Sequence, residues 1–418
     1  MKRLVTIDDF IDLLHKFKQR GFGFILSKLN IIEKRRTKET FNQLDYESAD
    51  WWIIPKVKKR WNMLITGNKN IDYKKYLIDN HLQNRKNLRL ISLGSGSGHQ
   101  ELELAKYSIF DEIICIDIAE NRILEGKSKA NKLMLKNIKF VCTDFNNYDI
   151  PKGYFDIVFF HSSLHHFDNI NDFVAGTIKN SLKPDGLLII NEYVGATRLQ
   201  FPKYQITKIN EALNVIPKEF RTRDKSYLLK KKFHGSGLVR MIIADPSECV
   251  DSASILPAIH SNFLTIIEKP YGGNILMNVL KDISHHFVNL DSNKNLILEK
   301  LFSLEDEYLT KNKSDFIFGI YQNYRQQKIK CIWQIVLKKL NIKLKAWSIE
   351  IPRAPYSNRY QNTLKNITCV KDMNRSIFFL IFMSVFLLMG CNETHNAVEV
   401  GKDNGKGSNT ANKSTLTL

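Results

Sequence analysis

The apolar positions of this chain gather into short runs. Leu88–Leu93 is mostly apolar, and Ile138–Cys142 and residues 113–116, 155–160 and 187–190 share its character. Continuous apolar runs of this length predict strands buried on both faces. Between them the period changes: Glu101, Leu102, Leu104 and Ala105, then 120–134, then 172–182, carry helical spacing. Strand alternating with helix from 88 to 195 predicts right-handed crossovers and a parallel sheet. Pro184-Asp185-Gly186 reads as the turn into the fifth strand. Residues 196–240 break the rhythm and predict a helical insertion over the strand ends. Apolar runs at 263–268 and 316–321 supply two more strands, with helical periodicity at 274–287 and 296–308 between them.

The flanks read differently. Residues 1–35 are basic and amphipathic, with Thr6 placed to cap a helix carrying Asp8, Asp9, Ile11 and Leu14. Trp51-Trp52-Ile53-Ile54-Pro55 and Arg60-Trp61-Asn62 follow. They form either a helical cap packed on the core or a lid in which Trp52, Arg60 and Trp61, with Tyr193, wall an acceptor pocket. Towards the other end, Ile332, Val336, Leu340 and Leu344 recur every four residues among lysines. That pattern fits a membrane-surface helix at 330–347 or a packed helix with a solvated basic face. An apolar run from Ile377 to Met389 ends in Gly390-Cys391; it is shorter than the roughly 20 residues that span a bilayer. It resembles a lipoprotein signal, read as a second reading frame joined at Met373 or as a short membrane anchor over 376–391. The expected division is 1–80 cap or lid, 81–195 core, 196–322 insertion and completion of the sheet, 323–372 basic extension, 373–391 hydrophobic segment and 392–418 polar tail.

Chemistry enters where the first strand breaks into Gly94-Ser95-Gly96-Ser97-Gly98. Glycines allow a tight turn and a close approach to a ligand, and the following helix offers N–H groups. Asp117, nineteen residues after Gly98 and ending the second strand, can accept from both hydroxyls of a ribose. A dinucleotide loop needs G-x-G-x-x-G, but His99 stands where its third glycine belongs. The spacing therefore suits S-adenosylmethionine (SAM) rather than NAD. Asp144 at the third strand end is placed to accept from an adenine amino group, with Phe145 against the ring. His161, His165 and His166 follow the fourth strand and Glu192 the fifth, where ligands of open α/β sheets bind.

Composition narrows the picture little. The formal charge of +19 fits nucleic acid, an anionic surface or solvated basic faces. Six cysteines show no C-x-x-C and no metal-type pairing with histidine, which argues against a disulfide framework or zinc site; Cys115 and Cys142 read as buried fillers in a cytoplasmic body. No D/N-P-P-Y/F follows the fourth strand, which disfavours base or glutamine amino-group methylation.

Gly94–Gly98, Asp117, Asp144-Phe145, Leu164-His165-His166 and Lys183-Pro184-Asp185-Gly186-Leu187 together resemble the motifs of class I SAM-dependent methyltransferases. The likeness is greatest to a bacterial subgroup, through Trp52-x-Ile54-Pro55, Arg60-Trp61-Asn62, Asn191-Glu192-Tyr193-Val194-Gly195, Asp245-Pro246-Ser247-Glu248 and Tyr271-Gly272-Gly273, over roughly 40–322. The resemblance implies a Rossmann-like sheet with an antiparallel last strand. It implies SAM contacts at Gly94, Ser95, Gly96, Gly98, Asp117, Ile118, Asp144, Phe145 and His161. His165, His166 and Glu192 are the candidate bases, for an oxygen or nitrogen of a small-molecule or glycan-like acceptor. One departure is Ser92, where many relatives carry an acid. The rival readings are a non-catalytic SAM-binding or membrane-associated module and an RNA methyltransferase.

Overall fold

The computed structural model describes residues 2–12 and 50–324. All of them belong to the first of the two units into which the chain divides, 1–340 and 341–418. The expectations for 330–347 and 376–391 lie outside the described residues. Among the described residues no helix is long and apolar enough to cross a membrane.

Seven strands form one sheet in the order β3-β2-β1-β4-β5-β7-β6. They are β1 Leu88–Leu93, β2 Phe110–Asp117, β3 Ile138–Cys142, β4 Phe155–His161, β5 Leu182–Tyr193, β6 Phe263–Gly272 and β7 Phe316–Asn323. The pairs β1/β2, β1/β4, β2/β3 and β4/β5 are parallel. β7 runs antiparallel to both β5 and β6. This is the Rossmann-like arrangement expected from the sequence. The crossovers reverse direction between β1 and β4, and open α/β sheets bind ligands outside the carboxyl ends at such a point.

Alternate residues of the central strands feed two cores. On one face Leu90, Ile113, Cys115, Ile157 and Phe159 pack under four helices, α1 Pro55–Thr66, α2 Tyr73–Leu77, α3 His99–Ala105 and α4 Glu120–Lys132. On the other, Ile91, Leu93, Val158, Phe160 and Ile190 meet the helical segment 170–181 and Ile255, Ala258 and Ile259. A third cluster builds the cap. There Trp51, Ile54 and Val57 join Ile209 and Leu213 of α5 (Lys203–Val215) and Leu298 and Leu301 of the helix Ser292–Leu309 between β6 and β7. The segment before β1 is thus packed against the insertion after β5.

Three local expectations change. Pro184-Asp185-Gly186 does not precede β5 but lies inside it. Leu182 pairs with Phe155, the register slips, and Leu187 pairs with Ile157, with Asp185 at φ +64°. Proline has no N–H to give a ladder and glycine tolerates the kink, so a bulge accommodates all three. Thr6 does not cap its helix by side chain: its hydroxyl donates to the Gly235 carbonyl, and Asp9 closes the first turn by accepting the Thr6 N–H. Cys142 is exposed rather than a filler, because β3 is an edge strand and Cys142 its last residue.

Candidate active site

The loop from β1 to α3 is built by three glycines in the left-handed region: Gly94 at φ +70°, Gly96 at +57° and Gly98 at +63°. Only glycine holds that region at no steric cost. Gly98 has a second reason, since a Cβ there would stand 2.6 Å from the Phe140 ring; at Gly96 the space is open. Asp117 closes the loop from β2. One of its oxygens accepts the Gly96 N–H at 2.7 Å, the other the Ala119 N–H at 2.8 Å. Each carboxylate oxygen keeps a second lone pair for a ligand. Burial raises the Asp117 pKa above the usual carboxylate value.

Beneath the loop lies a group the sequence pattern did not single out. Ser92 points to the α3 face, and its hydroxyl donates to Glu101 at 2.6 Å. Glu101 is fully buried, and desolvation lifts its pKa to about 7. A carboxyl group thus stands beside the position where Ser92 replaces an acid. In the sequence Glu101 is one residue of a helical pattern, and only the pairing with Ser92 gives it meaning. Ser95 Oγ, buried near Cys115, has no oxygen or nitrogen partner.

At the other strand tips, Asp144 accepts from the Asn146 backbone and side chain and so starts the turn after β3. Phe145 is half-buried against Phe167 and Phe173. Ile118 is half-buried beside Asp117. His161 ends β4, stacked on Tyr73 at 5.6 Å, with the Tyr73 hydroxyl 3.0 Å from Nδ1. Burial pushes its pKa down to about 4, so the ring is neutral at pH 7.

At the tip of β4, Ser163–Phe167 packs on the glycine loop. The Ser163 hydroxyl donates to the Leu93 carbonyl, and a Cβ on Gly94 would meet Ser163 at 3.1 Å. Glu192 lies behind this turn at zero exposure. It accepts the backbone N–H groups of Ser163, Leu164 and Tyr193 and the Nδ1 of His165 at 2.5 Å. Burial would raise the Glu192 pKa, but His165 and the backbone donors outweigh it and hold it low. For His165, burial lowers the pKa, yet Glu192 and Glu248 carry it up to about 9. His166 goes the other way, lowered by burial and by the neighbouring His165 charge.

The segment 245–248 completes the cluster. His166 Nδ1 lies 3.1 Å from Ser247 Oγ, whose own hydrogen goes to Asp245 at 2.6 Å. Glu248 stands 4.0 Å from His165 Nε2 and 3.9 Å from His166 Nε2. Burial opposes its charge, but the two imidazoles bring its pKa down to about 2. Glu248 sits 82 residues beyond His166, and no spacing rule links them.

The aromatic residues expected to wall an acceptor pocket do not meet at one place. Trp52 is exposed, whereas Trp61 packs edge-on to Trp51 and against Tyr271. Arg60 pairs with Asp306 at 2.5 Å and lies over the Phe302 ring. Of the four, Tyr193 is the one beside the histidines, edge-on to His165, its hydroxyl bonded to the Ala196 carbonyl.

Residues 84–262 match the family described as "Methyltransferase domain", which covers less than half of the chain. Together with the sheet order, this marks a class I methyltransferase fold, a domain type whose cofactor is SAM. Among curated proteins, the malonyl-[acyl-carrier protein] O-methyltransferase of Bacillus cereus is 24% identical over 106 residues, 25% of this chain and 38% of that protein. The chain thus spans about two fifths of that relative. The protein-lysine N-methyltransferase EFM4 of Saccharomyces cerevisiae is 25% identical over 190 residues, 42% of this chain and 76% of that one. Among solved structures, a geranyl diphosphate methyltransferase in complex with GPP and sinefungin aligns at TM-score 0.39 and 10% identity, covering 63% of this chain and 82% of that one. The YcgJ protein of Bacillus subtilis aligns at TM-score 0.33 and 16% identity, covering 58% and 93%.

Proposed function

We propose that this protein is a SAM-dependent methyltransferase acting on an oxygen or nitrogen of a small-molecule or glycan-like acceptor. The observation that carries the reading is the pairing, at the tips of β1 and β4, of a glycine loop closed by Asp117 with a polar cluster of histidines and carboxylates. When bound, the cofactor supplies a methyl group on a sulfonium, which a nucleophile takes by in-line displacement.

The residues present fit such a ligand. Gly94, Gly96 and Gly98 let the backbone approach it, Asp117 has lone pairs for hydroxyls, and the buried Ser95 Oγ, with no oxygen or nitrogen partner, suits a carboxylate or amine. Asp144 and Phe145 border the same strand tips, with Ile118 beside Asp117. We assign Glu101 the acidic role absent from position 92, facing the positive end of the cofactor. His161 and Tyr73 close the floor as a neutral pair. His165 and His166 bound the side from which the nucleophile approaches and ease the loss of its proton. Glu192 is a positioning residue, since its four accepted bonds fix the His165 ring and the turn that carries it. The relatives named above include an O- and an N-methyltransferase, in keeping with either acceptor atom.

Calorimetric titration with SAM tests the reading. Asp117→Asn keeps an acceptor for the Gly96 N–H but loses the charge, and affinity should fall roughly ten- to hundredfold. Unchanged affinity in Asp117→Asn and Gly96→Val would sink it. Methyl transfer from labelled SAM into fractionated small molecules and glycans then identifies the acceptor.

A further inference from the structure

We propose that His165, His166 and Glu248 form a binding site for one divalent first-row transition-metal ion, open towards the acceptor. The proposal rests on the methyltransferase reading and adds to it the means by which the acceptor is activated. One ligand atom from each residue lies within 4.8 Å of the others. Ligand atoms around a tetrahedral zinc-type ion stand roughly 3.4 Å apart, given bond lengths of about 2.0–2.2 Å. His165 Nε2 stands 4.0 Å from one Glu248 oxygen and His166 Nε2 3.9 Å from the other, so the three side chains must draw together around an ion to meet that spacing.

Proximity alone would describe any buried ion-pair cluster, and the stronger argument is how the rings are held. A metal-binding histidine typically gives its other ring N–H to a carboxylate or other acceptor, which fixes tautomer and orientation. Both rings show this. His165 Nδ1 donates to Glu192, an acceptor-only carboxylate with zero exposure. His166 Nδ1 faces Ser247 Oγ, whose hydrogen is committed to Asp245, so the hydroxyl accepts. Each Nδ1 therefore carries a proton, both Nε2 atoms face the same carboxylate, and an arriving ion takes the place of the Nε2 proton that the His165 imidazolium holds. Two imidazoles and one carboxylate suit zinc, cobalt or iron rather than magnesium or calcium. Three protein ligands leave a position open. An acceptor hydroxyl reaching it would be acidified, its O–H bond breaking and the proton passing to water. This supplies the activation that Glu192, with its oxygens occupied, does not.

The test uses the full chain, stripped of metal with a chelator and titrated with Co2+ and Zn2+. We expect one Co2+ per chain with visible d–d absorption lacking the intense thiolate bands that the cysteines would give. His166→Ala and Glu248→Gln should abolish that spectrum, while Ser247→Ala should weaken binding by about tenfold or more. Calorimetry with SAM runs in parallel on each variant. SAM binding without stoichiometric cobalt, or a cobalt spectrum unchanged in His166→Ala and Glu248→Gln, overturns the metal site and leaves the methyltransferase reading standing. Loss of SAM binding in the wild type would strike that reading instead.

Discussion

At the residue scale, the pairing of Ser92 with Glu101 shows why a departure from a motif is read with its neighbours. The carboxyl is reached from the next helix rather than from the strand, and the loop keeps an acid at its base. With a pKa of about 7, Glu101 is largely neutral at pH 6 and largely ionised at pH 8. A cationic ligand favours the ionised form, so SAM affinity should rise over that interval. Glu101→Gln should flatten the profile and weaken binding at pH 8 by roughly tenfold, as read by calorimetry. A wild-type profile that falls with pH would place Glu101 away from the ligand. The strand-end residues were legible because apolar runs stop abruptly at polar ones. Glu101 was not, since it hides in a helical pattern, and Glu248, though part of Asp245-Pro246-Ser247-Glu248, meets the histidines only through tertiary contact.

At the element scale, packing overrides propensity where α4 crosses β3. Gly126 lies inside α4, where alanine would normally gain about 0.5–1 kcal/mol. Here an added Cβ would stand 2.3 Å from the buried Phe140 ring. Gly126→Ala should therefore destabilise the protein by about 1–3 kcal/mol in urea unfolding, and Phe140→Leu in the same chain should recover part of that loss. Stability equal to or above wild type would show that the ring can move aside. Element type was readable for all seven strands from short apolar runs. The length of β5 was not, because Pro184-Asp185-Gly186 has the composition of a turn whether it joins two elements or bulges within one.

At the scale of the whole molecule, cap and sheet share buried polar joints. Asp315, just before β7, accepts from Gln205 of α5 at 2.8 Å, and its backbone N–H donates to Asn274. Burial raises its pKa to about 7 from 3.8. Between those values the native state holds a proton that the unfolded chain has released, so this group's contribution makes stability fall as pH rises towards 7. Asp315→Asn should remove that dependence and raise stability at pH 8 by about 1–3 kcal/mol, with little change at pH 4, in thermal melts at the two pH values. The amino-terminal segment is a second joint: Asp8 accepts the backbone N–H groups of His234 and Gly235. Asp8→Ala leaves both donors without that partner, at a cost of about 1–3 kcal/mol. Faster hydrogen exchange should then be confined to 233–240, whereas a uniform increase would mean that the segment supports the entire body.

The placement of β7 between β5 and β6 also has a consequence for synthesis on the ribosome. β6 leaves the exit tunnel before the strand through which it joins the sheet, and the intervening 43 residues take roughly 2–9 s to translate. Throughout that delay β5 presents a bare, adhesive margin to its surroundings. A nascent chain stalled before Phe316 would be a natural client for holding chaperones, and one released there would be prone to clump rather than fold.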